Sequence, residues 1–305
     1  MRPRFLVTSL LFVMLLGLSA LYATRPSTLS PTLLQPRLAD LANGETMFNV
    51  GGCTSCHACP NQDDRLRLGG GLALQSPFGT FKVPNISPDP SAGIGAWTEL
   101  EFANAMLKGV GRKNEHLFPS FPYTSYQRMS LNDIRDLYAF LKTLPPDTTR
   151  SEPHQLPFSF NIRSGIGIWK LLFLDAKVFT PDAAKDVERN RGAYLIEGPG
   201  HCAECHSARN ILGAIKQSTR FAGGLSVEEG WVPNITPHAD GLAEWSAKDM
   251  EFFLRTGLTP DGYAATDSMA AVIRNTSRLT DGDRRAMATY LVALPPRPGG
   301  KPKKE

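Results

Sequence analysis

Two short segments of the sequence carry the same set of reactive side chains. Residues 53–57 read Cys-Thr-Ser-Cys-His, and residues 202–206 read Cys-Ala-Glu-Cys-His. On a helix, positions i, i+3 and i+4 share one face, so two thiols and one imidazole can approach the same group. Thiols at this spacing add to the vinyl groups of haem while the imidazole binds the iron, which is the C-x-x-C-H pattern of covalent attachment.

A redox-active dithiol and half of a zinc site are the other chemistries that this spacing allows. A zinc site needs two further ligands at suitable spacing, and a chance match is improbable when the complete pattern occurs twice. We therefore predict two covalently attached haem c groups, with His57 and His206 as iron ligands. The predicted attachment residues are Cys53, Cys56, His57, Cys202, Cys205 and His206.

The two segments belong to a longer internal repeat. The tripeptide Pro-Asn-Ile follows the first cysteine at the same spacing in both halves, beginning at Pro84 and at Pro233. Each half closes with a helix-like stretch that starts at an N-cap residue, Ser130 or Thr280, and stops at proline. The carbonyl of Pro84 or Pro233 is a candidate acceptor for the histidine N–H, with an ordinary loop turn as the alternative.

The sequence contains no convincing alternation of apolar and polar residues, so it predicts helices and no strands. The order of helix, C-x-x-C-H, Pro-Asn-Ile loop, helix and terminal helix resembles the class I cytochrome c fold. The stretches FPSFPYTSY and GPGHCAECHSARNILG resemble the cytochrome subunits of bacterial membrane-bound alcohol and sugar-acid dehydrogenases. The resemblance implies an all-α fold of two tandem class I cytochrome c domains after an N-terminal hydrophobic anchor helix.

The predicted chain has five parts. These are a signal or anchor helix at 1–24, a cytochrome c domain at 38–146, an interdomain linker at 147–187, a second cytochrome c domain at 188–296 and a flexible tail at 297–305. The apolar stretch Phe5–Tyr22 follows two arginines and just reaches the length of a bilayer span. Its poor cleavage pattern favours an uncleaved anchor over a cleaved signal, so we expect the rest of the chain at the periplasmic face of the inner membrane.

The linker contains an apolar run, Ile166–Leu174, that is too short to span a bilayer. Packing between the domains is favoured over a second contact with the membrane. The formal net charge of +4 is too weak a bias to indicate nucleic acid as a partner.

The resemblance also implies a second iron ligand for each haem, from the loop before the terminal helix. Met269 occupies that position in the second half and is the predicted axial thioether. The aligned residue of the first half is Phe121, which has no lone pair. Met129 is the best replacement there, with a hydrophobic staple or ligation by His116 as alternatives. Cys59 is expected to be a small buried residue, with thiolate ligation as a minor alternative.

Haems with both axial positions filled exchange electrons but do not readily bind substrate. We therefore predict an electron carrier that takes electrons from a periplasmic dehydrogenase and passes them to a terminal oxidase or another cytochrome. No side chain is predicted to act as acid, base or nucleophile. The main alternative is a diheme enzyme, of the peroxidase or thiosulfate dehydrogenase type, with an open haem beside Phe121. A structural subunit that anchors a dehydrogenase is the third interpretation.

Overall fold

The structure is a computed structural model that describes residues 22–60, 62–227 and 230–299, with scattered positions between 9 and 19. The α-helices are α1 (Leu41–Val50), α2 (Cys53–His57), α3 (Glu99–Lys108), α4 (Tyr123–Tyr126), α5 (Leu131–Leu141), α6 (Ser164–Phe173), α7 (Val187–Glu197), α8 (Ala247–Thr256), α9 (Asp267–Thr276) and α10 (Asp281–Val292). The strands are β1 (Ala73–Ser76), β2 (Gly79–Lys82), β3 (Gly224–Ser226) and β4 (Gly230–Val232). We call α1–α5 with β1 and β2 the first module, and α7–α10 with β3 and β4 the second module.

Each module is built on a crossing of its first and last helices, α1 with α5 and α7 with α10. Both crossings occur at a glycine. A Cβ on Gly44 would lie 2.2 Å from the carbonyl oxygen of Asp136, and one on Gly192 would lie 1.9 Å from that of Ala286. Because no side chain separates the backbones, the two helices of each pair touch directly.

The N-caps that the sequence predicts for the terminal helices are confirmed. The Ser130 hydroxyl accepts the backbone N–H of Asp133, and the Thr280 hydroxyl accepts that of Asp283. Each bond satisfies one of the amide groups that the start of a helix leaves without an intrahelical partner. The same local rule therefore fixes the start of the last helix in both modules.

Two short antiparallel hairpins correct the prediction of an all-α fold. Strands β1 and β2 pair from Ala73 with Lys82 to Ser76 with Gly79, and β3 pairs with β4 in the same manner. The strands are three or four residues long and partly buried on both faces, so their sequences lack the alternation that marks a strand. Both hairpins occupy the same place in the repeat, between the haem-binding motif and the Pro-Asn-Ile tripeptide.

The predicted anchor helix is the second correction to the fold class. No helix in the part of the chain that the structure describes is long and apolar enough to cross a membrane. Most of the stretch Phe5–Tyr22 on which the prediction rests lies outside the described residues. The fold is thus two helical modules, each with a small hairpin, joined by a linker that contains α6.

We expect Gly192→Ala to destabilise the second module, because the new Cβ would collide with the backbone of α10. Overpacking of this kind costs about 1 to 3 kcal/mol of unfolding free energy. Gly165→Ala is the matched control, since a Cβ there meets nothing within 4 Å and alanine favours the helix. Denaturant unfolding followed by haem absorbance measures both variants. Equal stability of the two would contradict the direct contact of α7 with α10.

Candidate haem-binding sites

The two C-x-x-C-H segments adopt short helical turns that are entered through left-handed residues. The first forms α2 after Gly52, which has a φ of 58°, and the second begins as a 3-10 turn at Cys202–Glu204 after His201, which has a φ of 40°. This entry turns the chain sharply before the first cysteine. None of the five cysteines forms a disulfide, and all of them lie within the described residues.

The protonation of the thiols argues against a redox-active dithiol. Burial, followed by the neighbouring thiol, raises the pKa of Cys53 to about 12, and the same two causes raise that of Cys202 to about 12. Reactive C-x-x-C thiols have a lowered pKa instead. The described residues contain no cluster of three or more His, Cys, Asp and Glu side chains that could hold a metal ion.

Both motif histidines are oriented by a backbone carbonyl. The distance from His57 Nδ1 to the carbonyl oxygen of Pro84 is 2.8 Å, and the same distance is found between His206 and Pro233. When Nδ1 donates this bond, the proton is held there and the lone pair of Nε2 is left for a metal. Burial lowers the pKa of His57 to about 4, so the ring is neutral as a ligand must be. The proline tripeptide is therefore more than a loop turn.

A glycine lies between each histidine and its proline. The Gly70 N–H donates to the carbonyl of His57 at 2.8 Å, and the Gly223 N–H donates to that of His206 at 3.0 Å. Gly70 has a φ of 74°, and a Cβ there would lie 2.5 Å from the backbone of Pro84. Only glycine permits both the left-handed backbone and this approach. The hairpin after this glycine, β1–β2 or β3–β4, then brings the proline back to the histidine.

An asparagine fixes each tripeptide to the segment after the terminal helix. In the first module, Asn85 Nδ2 donates to the carbonyls of Asp147 at 2.7 Å and Thr149 at 2.8 Å. In the second, Asn234 Nδ2 donates to the carbonyl of Arg297 at 2.8 Å. Each asparagine also accepts the N–H two residues ahead at 2.8 Å. The sequence analysis noted the asparagines only as part of the repeat, and their function is to hold the prolyl carbonyl in position.

The two predicted methionine ligands lie in different settings. Met269 is partly buried in the first turn of α9, so it is on a helix and not in the loop that the sequence analysis expected. Met129 is 1% exposed, and its Cγ would lie 3.7 Å from a Cβ built on Gly198 of the second module. Met129 thus lies against the other module, at the residue before the N-cap of α5.

The remaining candidates in the first module have other partners. His116 is buried, and its Nε2 lies 2.7 Å from the carbonyl oxygen of Thr24. The Phe121 ring packs edge-on against Tyr123 and Tyr126 at 6.4 and 5.6 Å between centroids. Cys59 is partly buried, with its Sγ 4.0 Å from Asp147 Oδ2. His116 and Cys59 are therefore engaged in contacts of the fold.

The residues present fit a covalently held haem. Each motif provides two thiols and an imidazole oriented by a prolyl carbonyl, which is the donor set of haem c. On the side of α4, the buried atoms Tyr123 Oη and Gln127 Oε1 have no hydrogen-bond partner within the protein. Buried polar atoms are normally satisfied, so these two are free to bond a polar group of a bound cofactor.

The first motif is hydrogen-bonded to the second module. Thr54 Oγ1, inside the first motif, donates to Asn275 Oδ1 at 2.9 Å, and Asn275 Nδ2 donates to Ser55 Oγ at 2.7 Å. Asn275 belongs to α9 of the second module and is 4% exposed. The sequence analysis missed this residue, because asparagine within a helix carries no signal of its partner.

The second motif makes the reciprocal contact. Thr124 and Ser125 of α4 donate to Glu204 Oε1 at 2.5 and 3.0 Å. Burial alone would raise the pKa of Glu204, but Arg209 and these two hydroxyls outweigh it and hold the pKa below its ordinary value. Ser125 and Asn275 each lie two residues before the C-cap of their helix. The modules therefore contact one another with approximate two-fold symmetry.

Residues immediately before the motifs complete this contact. His201 Nε2 lies 3.3 Å from the carbonyl oxygen of Gly51, which also accepts the Tyr126 hydroxyl at 3.3 Å. The rings of Tyr126 and His201 pack edge to face, 5.6 Å between centroids. The buried apolar residues of both modules form one continuous cluster. Each haem-binding segment is thus held by the opposite module as well as by its own.

We expect Asn275→Ala to weaken the contact between the modules, because it removes the bonds to Thr54 and Ser55. Net losses for buried hydrogen bonds are about 1 to 3 kcal/mol. The control is Ser277→Ala, an exposed position on the same helix end whose hydroxyl bonds only locally to Arg274. Denaturant unfolding should show a lowered midpoint for Asn275→Ala alone. If both variants unfold like the parent protein, Asn275 does not hold the modules together.

Comparison with known proteins agrees with these sites. The cytochrome c family model matches residues 41–145. A diheme cytochrome c-type protein of Cereibacter sphaeroides is 45% identical over 295 residues, which cover 96% of this chain and 98% of that protein. The fructose dehydrogenase cytochrome subunit of Gluconobacter japonicus is 34% identical over 89% of this chain, and the cytochrome c subunit of a quinone alcohol dehydrogenase of Gluconobacter oxydans is 33% identical over 86%. This chain spans 56% of the length of each of those two subunits. The chain belongs to the cytochrome c family.

Proposed function

We propose that the chain is a diheme electron carrier of the periplasm, which takes electrons from a dehydrogenase and delivers them to an oxidase or another cytochrome. Haem c supplies one-electron redox chemistry when bound. Cys53, Cys56 and His57 would hold one haem, and Cys202, Cys205 and His206 would hold the other. The protein residues attach, orient and bury the cofactor, and none of them is required to transfer a proton.

The hydrogen bonds from each motif to the opposite module are the observation that carries this proposal. Thr54 and Ser55 lie between the cysteines of the first motif, and Glu204 lies between those of the second. All three are bonded to the opposite module. Hydrogen bonds at these positions hold each attachment segment in a fixed position relative to the opposite module. An arrangement of this kind favours transfer of electrons between two haems within one chain.

The relatives support the assignment of the partner. Several are named as cytochrome subunits of dehydrogenases, including one of gluconate 2-dehydrogenase from Pantoea cypripedii. We infer that this chain serves a dehydrogenase in the same manner. Covalent haem attachment, together with the basic and apolar start of the chain, supports a place outside the cytoplasm.

Met269 and Met129 are the proposed second ligands of the two irons. Met thioether ligation would raise the potential of the haem and leave the iron without a free position for substrate. The packing of Phe121 against two tyrosines favours a second candidate function. If this aromatic cluster faces an iron that lacks a sixth ligand, the first haem is open and the chain is a diheme enzyme.

We expect Met269→Leu to remove the far-red charge-transfer band of one ferric haem, because leucine fills the space without a lone pair. Met129→Leu should do the same to the other haem. Met250→Leu, a 3% exposed core position, is the volume-matched control and should leave both bands intact. Mass spectrometry of the denatured protein first establishes that two haems are attached.

The ferric spectrum of the parent protein separates the two functions. Two low-spin haems that bind cyanide slowly agree with the carrier. One high-spin haem that binds cyanide rapidly and reacts with peroxide would contradict it and support the enzyme. If Met129→Leu leaves both bands intact while the parent has two low-spin haems, the carrier stands and Met129 is not the ligand.

A further inference from the structure

Helix α6 presents its apolar side chains to solvent. Ile168, Leu171 and Leu172 are 53%, 63% and 63% exposed, and their i, i+3, i+4 spacing makes one stripe. The sequence analysis expected this run to pack between the domains, which is wrong for these three residues. Lys170, the charged residue of the helix, instead turns inward and donates to the carbonyls of Lys108 and Gly109 at 2.8 and 2.7 Å.

The segment before α6 extends the same surface. Phe158, Phe160 and Ile162 are 86%, 44% and 49% exposed. Phe160 contacts Phe78 edge-on at 5.2 Å, which attaches this turn to the first hairpin. The charged residue of this segment, Arg163, donates inward to the carbonyl of His116 at 2.8 Å, as Lys170 does within α6. Exposed apolar residues are common singly, but a group of them close together in the chain is a sign of a binding surface. We call residues 158–173 the linker patch.

The start of the chain enters the fold beside the linker patch. The carbonyl oxygen of Thr24 is bound by His116 and would lie 2.3 Å from a Cβ on Gly167 of α6. Tyr22 is 67% exposed and carries the guanidinium of Arg25 over its ring at 4.1 Å. Nearer the N-terminus, five described apolar residues are also more than half exposed: Leu11, Phe12, Met14, Leu15 and Leu18. The segment that ends at Thr24 therefore meets the fold beside α6.

We propose that the linker patch lies on a lipid bilayer, with the stripe of α6 inserted among the acyl chains at the surface. At ten residues, α6 is too short to span a membrane but long enough to lie along its interface. Tyr22 is a residue type typical of that interface, and Arg25 beside it suits the headgroup layer.

Lipid fits the linker patch better than a protein partner does. The centre of a protein interface combines apolar area with groups that form hydrogen bonds across it. The stripe of α6 offers no such group, because Lys170 and the Trp169 indole are both bonded inward, the latter to the carbonyl of Leu212 at 2.9 Å.

A spin label at Leu172→Cys tests the insertion in the haem-loaded full chain, with Cys59→Ser removing the remaining thiol. On vesicles of phosphatidylethanolamine and phosphatidylglycerol, the ratio of oxygen to nickel-chelate accessibility at position 172 should rise several-fold over that in buffer. A label at Val187→Cys, which is 87% exposed on the second module, is the matched control and should remain aqueous. Leu171→Glu with Leu172→Glu should weaken vesicle binding on the order of tenfold per leucine.

An aqueous ratio at position 172 in the presence of vesicles would overturn the proposal, whether or not the protein binds them by another part. A label that is immobilised by a dehydrogenase and not by vesicles would overturn it in favour of a protein partner. The measurement does not depend on electron transfer, and the glutamate variants lie outside the haem-binding residues. Evidence against insertion of α6 into lipid would therefore leave the proposed carrier function unaffected.

Discussion

The bond between the motif histidine and a prolyl carbonyl is the constraint around which each module is arranged. The carbonyl of Pro84 or Pro233 must return to a histidine that precedes it by 27 residues. The hairpin provides the return, a left-handed glycine permits the close approach, and an asparagine holds the tripeptide against the end of the terminal helix. The result is an imidazole with a fixed orientation, which is what an iron ligand requires.

The contact between the modules extends this constraint to the whole chain. Asn275 reaches the first motif, and Glu204 of the second motif is held by the short helix α4. A displacement of one attachment segment is thus opposed by hydrogen bonds from the other module. In the proposed carrier, the stability of each haem site and the geometry of electron transfer would depend on the same few side chains.

The repeat allowed much of this arrangement to be predicted. Pro84 and Pro233 stand at the same distance from their histidines, and a repeated spacing indicates a repeated contact. The N-caps Ser130 and Thr280 were also predictable, because a cap acts within one turn of helix. The predicted haem-binding residues and domain boundaries remain predictions, although the geometry around His57 and His206 agrees with their assignment.

Other features depend on contacts between distant residues, which local patterns do not reveal. The hairpins are too short and too evenly buried to show alternation, so the fold was predicted as all-α. The bond from Asn275 to Thr54 joins residues that are 221 positions apart, and neither residue type marks the pairing. The outward stripe of α6 was missed because an apolar run normally indicates burial.

The central claim is that the contact between the modules makes the two haems one electron-transfer unit. Pulse radiolysis can inject a single electron into the oxidised protein and follow its redistribution by absorbance at each haem. The account predicts a redistribution rate that does not change with protein concentration, because transfer occurs within one chain. A rate that rises in proportion to protein concentration would show transfer between molecules and contradict the account.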